Sequence, residues 1–147
     1  MLQKKPKCSA YDSAVYSLAR REHGTEELRL KLHSKGFVDV EIDEALVRLQ
    51  SHDYLNDDRY CEAYIRMRQR KGYGPIKIRC ELQTRGIASG RIEQHLNASD
   101  VVWVNQAQLA WEKKFGARAV DSKEKAKQYR FLQYRGFTSE HIHLILN

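Results

Sequence analysis

Apolar residues recur at helical spacing along most of the chain. Ile42, Ala45, Leu46 and Leu49 stand at i, i+3, i+4 and i+7, one face of a helix beginning near Asp39. Tyr11, Ala14, Val15 and Leu18 lay out a similar stripe on a helix from about Asp12 to Glu22. Tyr60, Ala63, Tyr64 and Met67 repeat that spacing after the turn-rich Asn56-Asp57-Asp58, and Trp103, Ala107, Ala110 and Trp111 supply a third copy.

These stripes belong to an internal repeat of fifty residues. Comparing 28–46, 78–96 and 128–146 aligns Leu32, Leu82 and Leu132; Gly36, Gly86 and Gly136; Ile42, Ile92 and Ile142; and Leu46, Leu96 and Leu146. Lys35, Arg85 or Arg135 precedes each glycine, where a cation faces the negative end of a helix dipole, and Phe37, Ile87 or Phe137 follows it. The glycines predict helix ends in the left-handed conformation, with the next apolar residue folding back on the last turn. Asp39, Ser89 and Ser139 are expected to cap the helix that follows. Gly24 and Gly74, also fifty apart, mark an earlier break, with Pro75 suited to a first helical turn. In the third copy Gly116 ends the first helix, Asp121 or Ser122 caps the next, and the longer Gly116–Gly136 interval implies an insertion. Polar Gln128 there takes the place of Leu28 and Ile78. The expected fold is all-α: three tandem three-helix repeats of about fifty residues in an elongated or curved array. The expected divisions are a flexible basic arm over 1–10 and repeats over 11–52, 53–97 and 98–147.

Composition narrows the class. Of 147 residues 41% are apolar and 31% charged, with two prolines and eight glycines, which fits a helix-rich folded chain. No apolar run approaches a membrane span, and Met1–Pro6 leads into no apolar stretch of a signal peptide, so a soluble cytoplasmic protein is expected, and a monomer, because the repeats bury one another's faces. Cys8, Cys61 and Cys80 are odd in number and form no C-x-x-C pair, and the six histidines show no ligand spacing. Free thiols, no metal and no cofactor are expected.

The net charge of +7 points to a polyanion or an acidic protein surface as partner. Residues 1–52 carry nine basic and eight acidic side chains, 53–97 nine and six, and 98–147 eight and five. Arg66, Arg68, Arg70, Lys71, Lys77 and Arg79 gather in the second repeat, and Lys123, Lys127 and Arg130 share one helix face in the third. These are the candidate contact residues. A charge run is often only a solvated face, and Glu62 with Arg66, or Lys77, Glu81 and Arg85, have the spacing of ordinary intrahelical pairs. A nuclease built on Asn56-Asp57-Asp58 is less economical than a helix start rich in Asn and Asp. Groove reading by the helix after each glycine turn fits poorly, because the first such helix opens Asp39-Val40-Glu41-Ile42-Asp43-Glu44 and would repel phosphates. Non-specific DNA binding through other helices stays open.

The residues also carry a family resemblance. Arg20-Arg21-Glu22-His23-Gly24-Thr25-Glu26-Glu27-Leu28 with Leu32 and Lys35-Gly36-Phe37 resembles the signature of the RecX family of bacterial regulators. Tyr54-Leu55-Asn56-Asp57-Asp58-Arg59-Tyr60 is similar to that family's central motif, followed by Lys71-Gly72-Tyr73-Gly74-Pro75, Ile78, Glu81-Leu82 and Arg85-Gly86-Ile87. The resemblance implies three tandem three-helix repeats without a known catalytic centre. It also implies a partner: the RecA recombinase, whose filament on DNA such proteins enter by its groove, restraining strand exchange and coprotease activity in DNA repair and the SOS response. The alternative is a helical repeat protein that binds DNA non-specifically without RecA.

Overall fold

The glycines divide the chain into helices because all but Gly90 sit where a helix stops or where a neighbour leaves little room for a side chain. The structure is a computed structural model, described over residues 7–147, and those residues form nine helices and no strand. The first unit holds α1 (Ala10–Arg20), α2 (Thr25–Ser34) and α3 (Asp39–Ser51). The second holds α4 (Asp57–Arg70), α5 (Pro75–Thr84) and α6 (Ser89–His95), and the third α7 (Val101–Lys114), α8 (Ser122–Arg135) and α9 (Ser139–Leu146). Within each unit all three helices pack on one another. The expected arm falls partly on residues 1–6, which lie outside the described residues; α1 itself begins at Ala10, capped by Ser9.

Gly36, Gly86 and Gly136 take φ of 94°, 82° and 99°. The amide of the residue after each reaches back to the leucine carbonyl five positions earlier: Phe37 to Leu32 at 3.3 Å, Ile87 to Leu82 at 3.1 Å and Phe137 to Leu132 at 3.2 Å. The same three apolar residues are buried. Asp39, Ser89 and Ser139 do not cap the helices that follow. The extended residue is one earlier, at Val38, Ala88 and Thr138, because the chain leaves the glycine turn extended for only two residues before helix resumes. Val38 and Ala88 have no side-chain acceptor to offer, whereas Thr138 makes a full capping box with His141. The His141 Nε2–H also donates to the Ala98 carbonyl (2.8 Å), tying α9 to the chain between α6 and α7.

The buried face of α1 differs from the expected stripe. Ala10, Ser13, Ala14 and Ser17 are buried, Tyr11 and Leu18 are only partly covered, and Val15 is exposed. Small residues let α1 lie close against its neighbours, and that turns its larger side chains outward. Leu28, Leu32, Phe37, Ile42, Leu46 and Leu49 complete the first core. The second and third units share one continuous apolar cluster that includes Ile78, Leu82, Ile92, Trp103, Leu132 and Ile142. Gln128 is buried in the place of its apolar counterparts because it is fully bonded: its Oε1 accepts from the Trp111 indole (3.0 Å) and its Nε2 donates to the Ala117 carbonyl (3.1 Å). The extra length of the third unit is divided between α8, which has 14 residues where α2 and α5 have 10, and the loop before it, 115–121, which is longer than the loops 21–24 and 71–74 before α2 and α5.

Both junctions between units are built on the second-helix N-termini. A Cβ on Gly74 would stand 2.5 Å from the Gly136 carbonyl, and one on Gly24 would stand 3.1 Å from the Tyr60 ring, so the next unit closes directly on these glycines. Glycine has no capping side chain, and the neighbour supplies what is missing. Asp57 Oδ1 accepts from the Thr25 amide (2.8 Å) and hydroxyl (3.0 Å). At α5 the carbonyls of Arg135 and Gly136 accept from the amides of Gly74 (2.8 Å) and Ile76 (2.9 Å).

Candidate anion-binding interface

Helix α8 presents Lys123, Lys127, Arg130 and Tyr134 at i, i+4, i+7 and i+11, one continuous exposed stripe. The three cations line a surface depression of about 360 Å³ together with Asp121 and Glu124. At its far end the stripe meets the second unit, where the Lys77 ammonium lies 4.4 Å from the Tyr134 ring and 5.1 Å from Tyr73. The guanidiniums of Arg68 and Arg135 also lie over Tyr73, at 3.8 Å and 4.9 Å. Arg135 further donates to the Lys71 carbonyl (3.1 Å). A basic and aromatic joint therefore holds α4, α5 and α8 in fixed relation.

Arg66, Arg70 and Lys71 are exposed at the end of α4, and among the described residues no carboxylate forms an ion pair with them, nor with Lys77, Lys123, Lys127 or Arg130. Arg68 and Arg79 are already engaged inside the second unit: Arg68 with Glu81 (2.9 Å) and Arg79 with Glu93 (2.8 Å). The intrahelical pairs expected from spacing give way to pairs between helices. Glu81 takes Arg68, Arg85 reaches Glu27 of the first unit (3.0 Å), and Glu62 faces His95. Glu81 also accepts from the Tyr64 hydroxyl, and burial together with that bond pushes the phenol up to about 12. Arg66 and Lys77 are thereby left without a carboxylate partner among the described residues.

The acidic motif is spent on structure. Asn56 caps α4, Asp57 holds the start of α2, and Asp58 pairs with Arg91 (2.7 Å) and His95 (2.9 Å). The His95 bond and the Arg91 guanidinium hold Asp58 below the ordinary carboxylate range. Among the described residues no three His, Cys, Asp or Glu side chains converge as metal ligands. Burial pushes the Cys61 thiol up to about 11, so it stays protonated near neutrality. Among the described residues no helix is long and apolar enough to cross a membrane.

Sequence reasoning missed Tyr73, Tyr134 and Arg135 as members of this joint. Tyr134 was available as the next step of the α8 stripe, but Tyr73 and Arg135 acquire their role only when the second and third units dock.

Three family models match the chain in order: the first RecX three-helix domain over residues 10–49, the second over 56–96 and the third over 104–146. A protein named regulatory protein RecX from Pseudomonas entomophila is 45% identical over 92% of this chain and 88% of its own length. One of the same name from Vibrio parahaemolyticus is 41% identical over 100% and 97%. The crystal structure of RecX from Lactobacillus salivarius superposes with a TM-score of 0.77 at 24% identity, covering 92% of this chain and 91% of that one. Another RecX crystal structure gives 0.78 at 20% identity, covering 92% and 70%, so both speak for the fold. With three consecutive domains matched and the whole helical order shared, this chain belongs to the RecX family of regulatory proteins.

Proposed function

We propose that the protein binds the RecA recombinase on DNA, lodges in the groove of that nucleoprotein filament, and restrains its strand-exchange and coprotease activities in DNA repair and the SOS response. The observation that carries this reading is the uncompensated cation face. It comprises Arg66, Arg70, Lys71 and Lys77 in the second unit and Lys123, Lys127 and Arg130 in the third, two units that meet at the Tyr73 joint. A polymeric target engages such a face at several points at once, and contacts joined on one rigid body raise apparent affinity through effective concentration. Arg68 and Arg79, paired with Glu81 and Glu93, stand apart from these free cations and position them, Arg68 by stacking on Tyr73 and Arg79 by bracing α5 to α6 through Glu93. The reading takes the protein as a cytoplasmic monomer acting without a cofactor.

The test is ATP hydrolysis by RecA on single-stranded DNA, titrated with this protein well below one copy per protomer. A filament regulator inhibits at such ratios. A protein that merely competes for DNA must cover the lattice before it acts, and inhibition only near saturation would favour non-specific DNA binding instead. Arg66→Glu with Arg70→Glu is expected to weaken inhibition while leaving helical content unchanged; unaltered inhibition removes those two residues from the interface.

A further inference from the structure

The first unit carries a groove whose counterpart on the second unit is filled by a side chain of the third. Arg59 and Trp103 are equivalent residues, each the third of its helix, in α4 and α7. The Arg59 Nη2 donates to the Asp53 carbonyl (2.7 Å) and the Trp103 Nε1 to the Asn97 carbonyl (2.9 Å), each bond reaching six residues back. Where the third unit meets the second, the indole is 2% exposed, in one apolar cluster with Cys61 and Ile65 of α4. Fifty residues earlier, at the same places on α1, stand Tyr11 and Val15. There an arginine replaces the tryptophan. Val15 is 36% exposed against 6% for Ile65, and a groove of about 550 Å³ opens along Tyr11, Val15, Leu18 and Tyr54.

Asp12, Glu22 and Asp53 also line this groove, and Arg59, the one cation among the described lining residues, is bonded to both Glu22 and Asp53 (2.9 Å each). From Tyr11 to His52 the first unit has six basic and eight acidic side chains, the reverse of the balance in the other two. A phosphate backbone is repelled from such a rim. A basic protein segment is attracted to it, and the apolar floor suits a ring or a large aliphatic side chain.

We infer that this groove docks a protein segment of the filament, one that presents a single aromatic or large aliphatic side chain beside a lysine or arginine. The inference rests on the filament reading above and divides its labour. The first unit recognises protein, the cation face of the second and third recognises anions, and only nucleoprotein satisfies both. Such a pair of faces discriminates filament from naked DNA without any catalytic group.

The experiment measures binding of the full chain to RecA assembled on a labelled single-stranded oligonucleotide, and separately to the oligonucleotide alone. Val15→Glu places a carboxylate on the apolar floor from an exposed position, and Arg59→Trp refills the groove as Trp103 does on the second unit. Each variant is first checked for unchanged helical content and a cooperative melt. Both are expected to lose about tenfold or more in affinity for the filament, roughly one decade of Kd, and to bind the naked oligonucleotide as the parent does. Filament affinity within about twofold of the parent for a folded Val15→Glu protein overturns the inference. Equal losses on filament and naked DNA also overturn it, because the groove would then not distinguish protein from nucleic acid. If the parent chain itself ignores the filament while binding DNA, it is the filament reading that fails.

Discussion

At Gly74 the absent side chain is replaced by the next unit: the Gly136 carbonyl occupies the space a Cβ would need, at 2.5 Å. Gly74→Ala must push two units apart, and the expected cost is about 1–3 kcal/mol, read as a lower melting temperature with helicity retained. Gly90, inside α6 with nothing within 4 Å of its would-be Cβ, is the matched contrast. Gly90→Ala should stabilise the chain by about 0.5–1 kcal/mol through better helix propensity. His23 is buried, and its Nε2 lacks a hydrogen-bond partner among the described residues. Burial pulls its imidazole below the ordinary 6.5. The unfolded chain therefore takes up a proton first as pH falls, so this contribution to stability is complete above about 6.5 and is lost progressively below it, down to the folded value. Urea midpoints across that range should decline on the acid side, and His23→Gln should flatten the decline.

Among the helices, the ones that cannot cap themselves are the informative ones. Helix α2 starts at a glycine and borrows Asp57, so Asp57→Ala should cost about 0.5–2 kcal/mol and loosen the first unit from the second without touching the cation face. Denaturant unfolding with a DNA-binding assay checks both halves of that expectation. The α2 and α5 glycine breaks were legible from their spacing alone. What supplies their missing acceptors was not, since Asp57 lies 32 residues from Thr25 and the carbonyl of Arg135 much farther from Gly74. The face that α1 buries was likewise illegible. Periodicity ranks a stripe by size and hydrophobicity, whereas close approach selected Ala10, Ser13, Ala14 and Ser17.

Across the whole molecule charge is sorted by unit, with carboxylates toward the first and uncompensated cations toward the other two. Binding to any polyanion should weaken as salt rises, with a slope set by the cations that release counterions. Removing Lys127 and Arg130 together should lower that slope by about 2 if each meets one phosphate, measured by titrating an oligonucleotide at several salt concentrations. The candidate contact residues were readable as a basic cluster in the sequence. Their separation into free and engaged members was not, because Glu81 and Glu93 reach Arg68 and Arg79 from other helices.

The sequence by itself determined the repeat, the helix ends at Gly36, Gly86 and Gly136, and the class of the fold. Those depend on local physics: glycine's access to positive φ, the periodicity of apolar side chains, and carbonyls that must be satisfied within one turn. Tertiary structure alone decided which face α1 turns outward, which cations remain unpaired, and how Tyr73 comes to lie beneath Arg68 and Arg135. Each of those outcomes depends on contacts between residues far apart in the chain, and spacing along one helix carries no information about what a second helix brings to meet it.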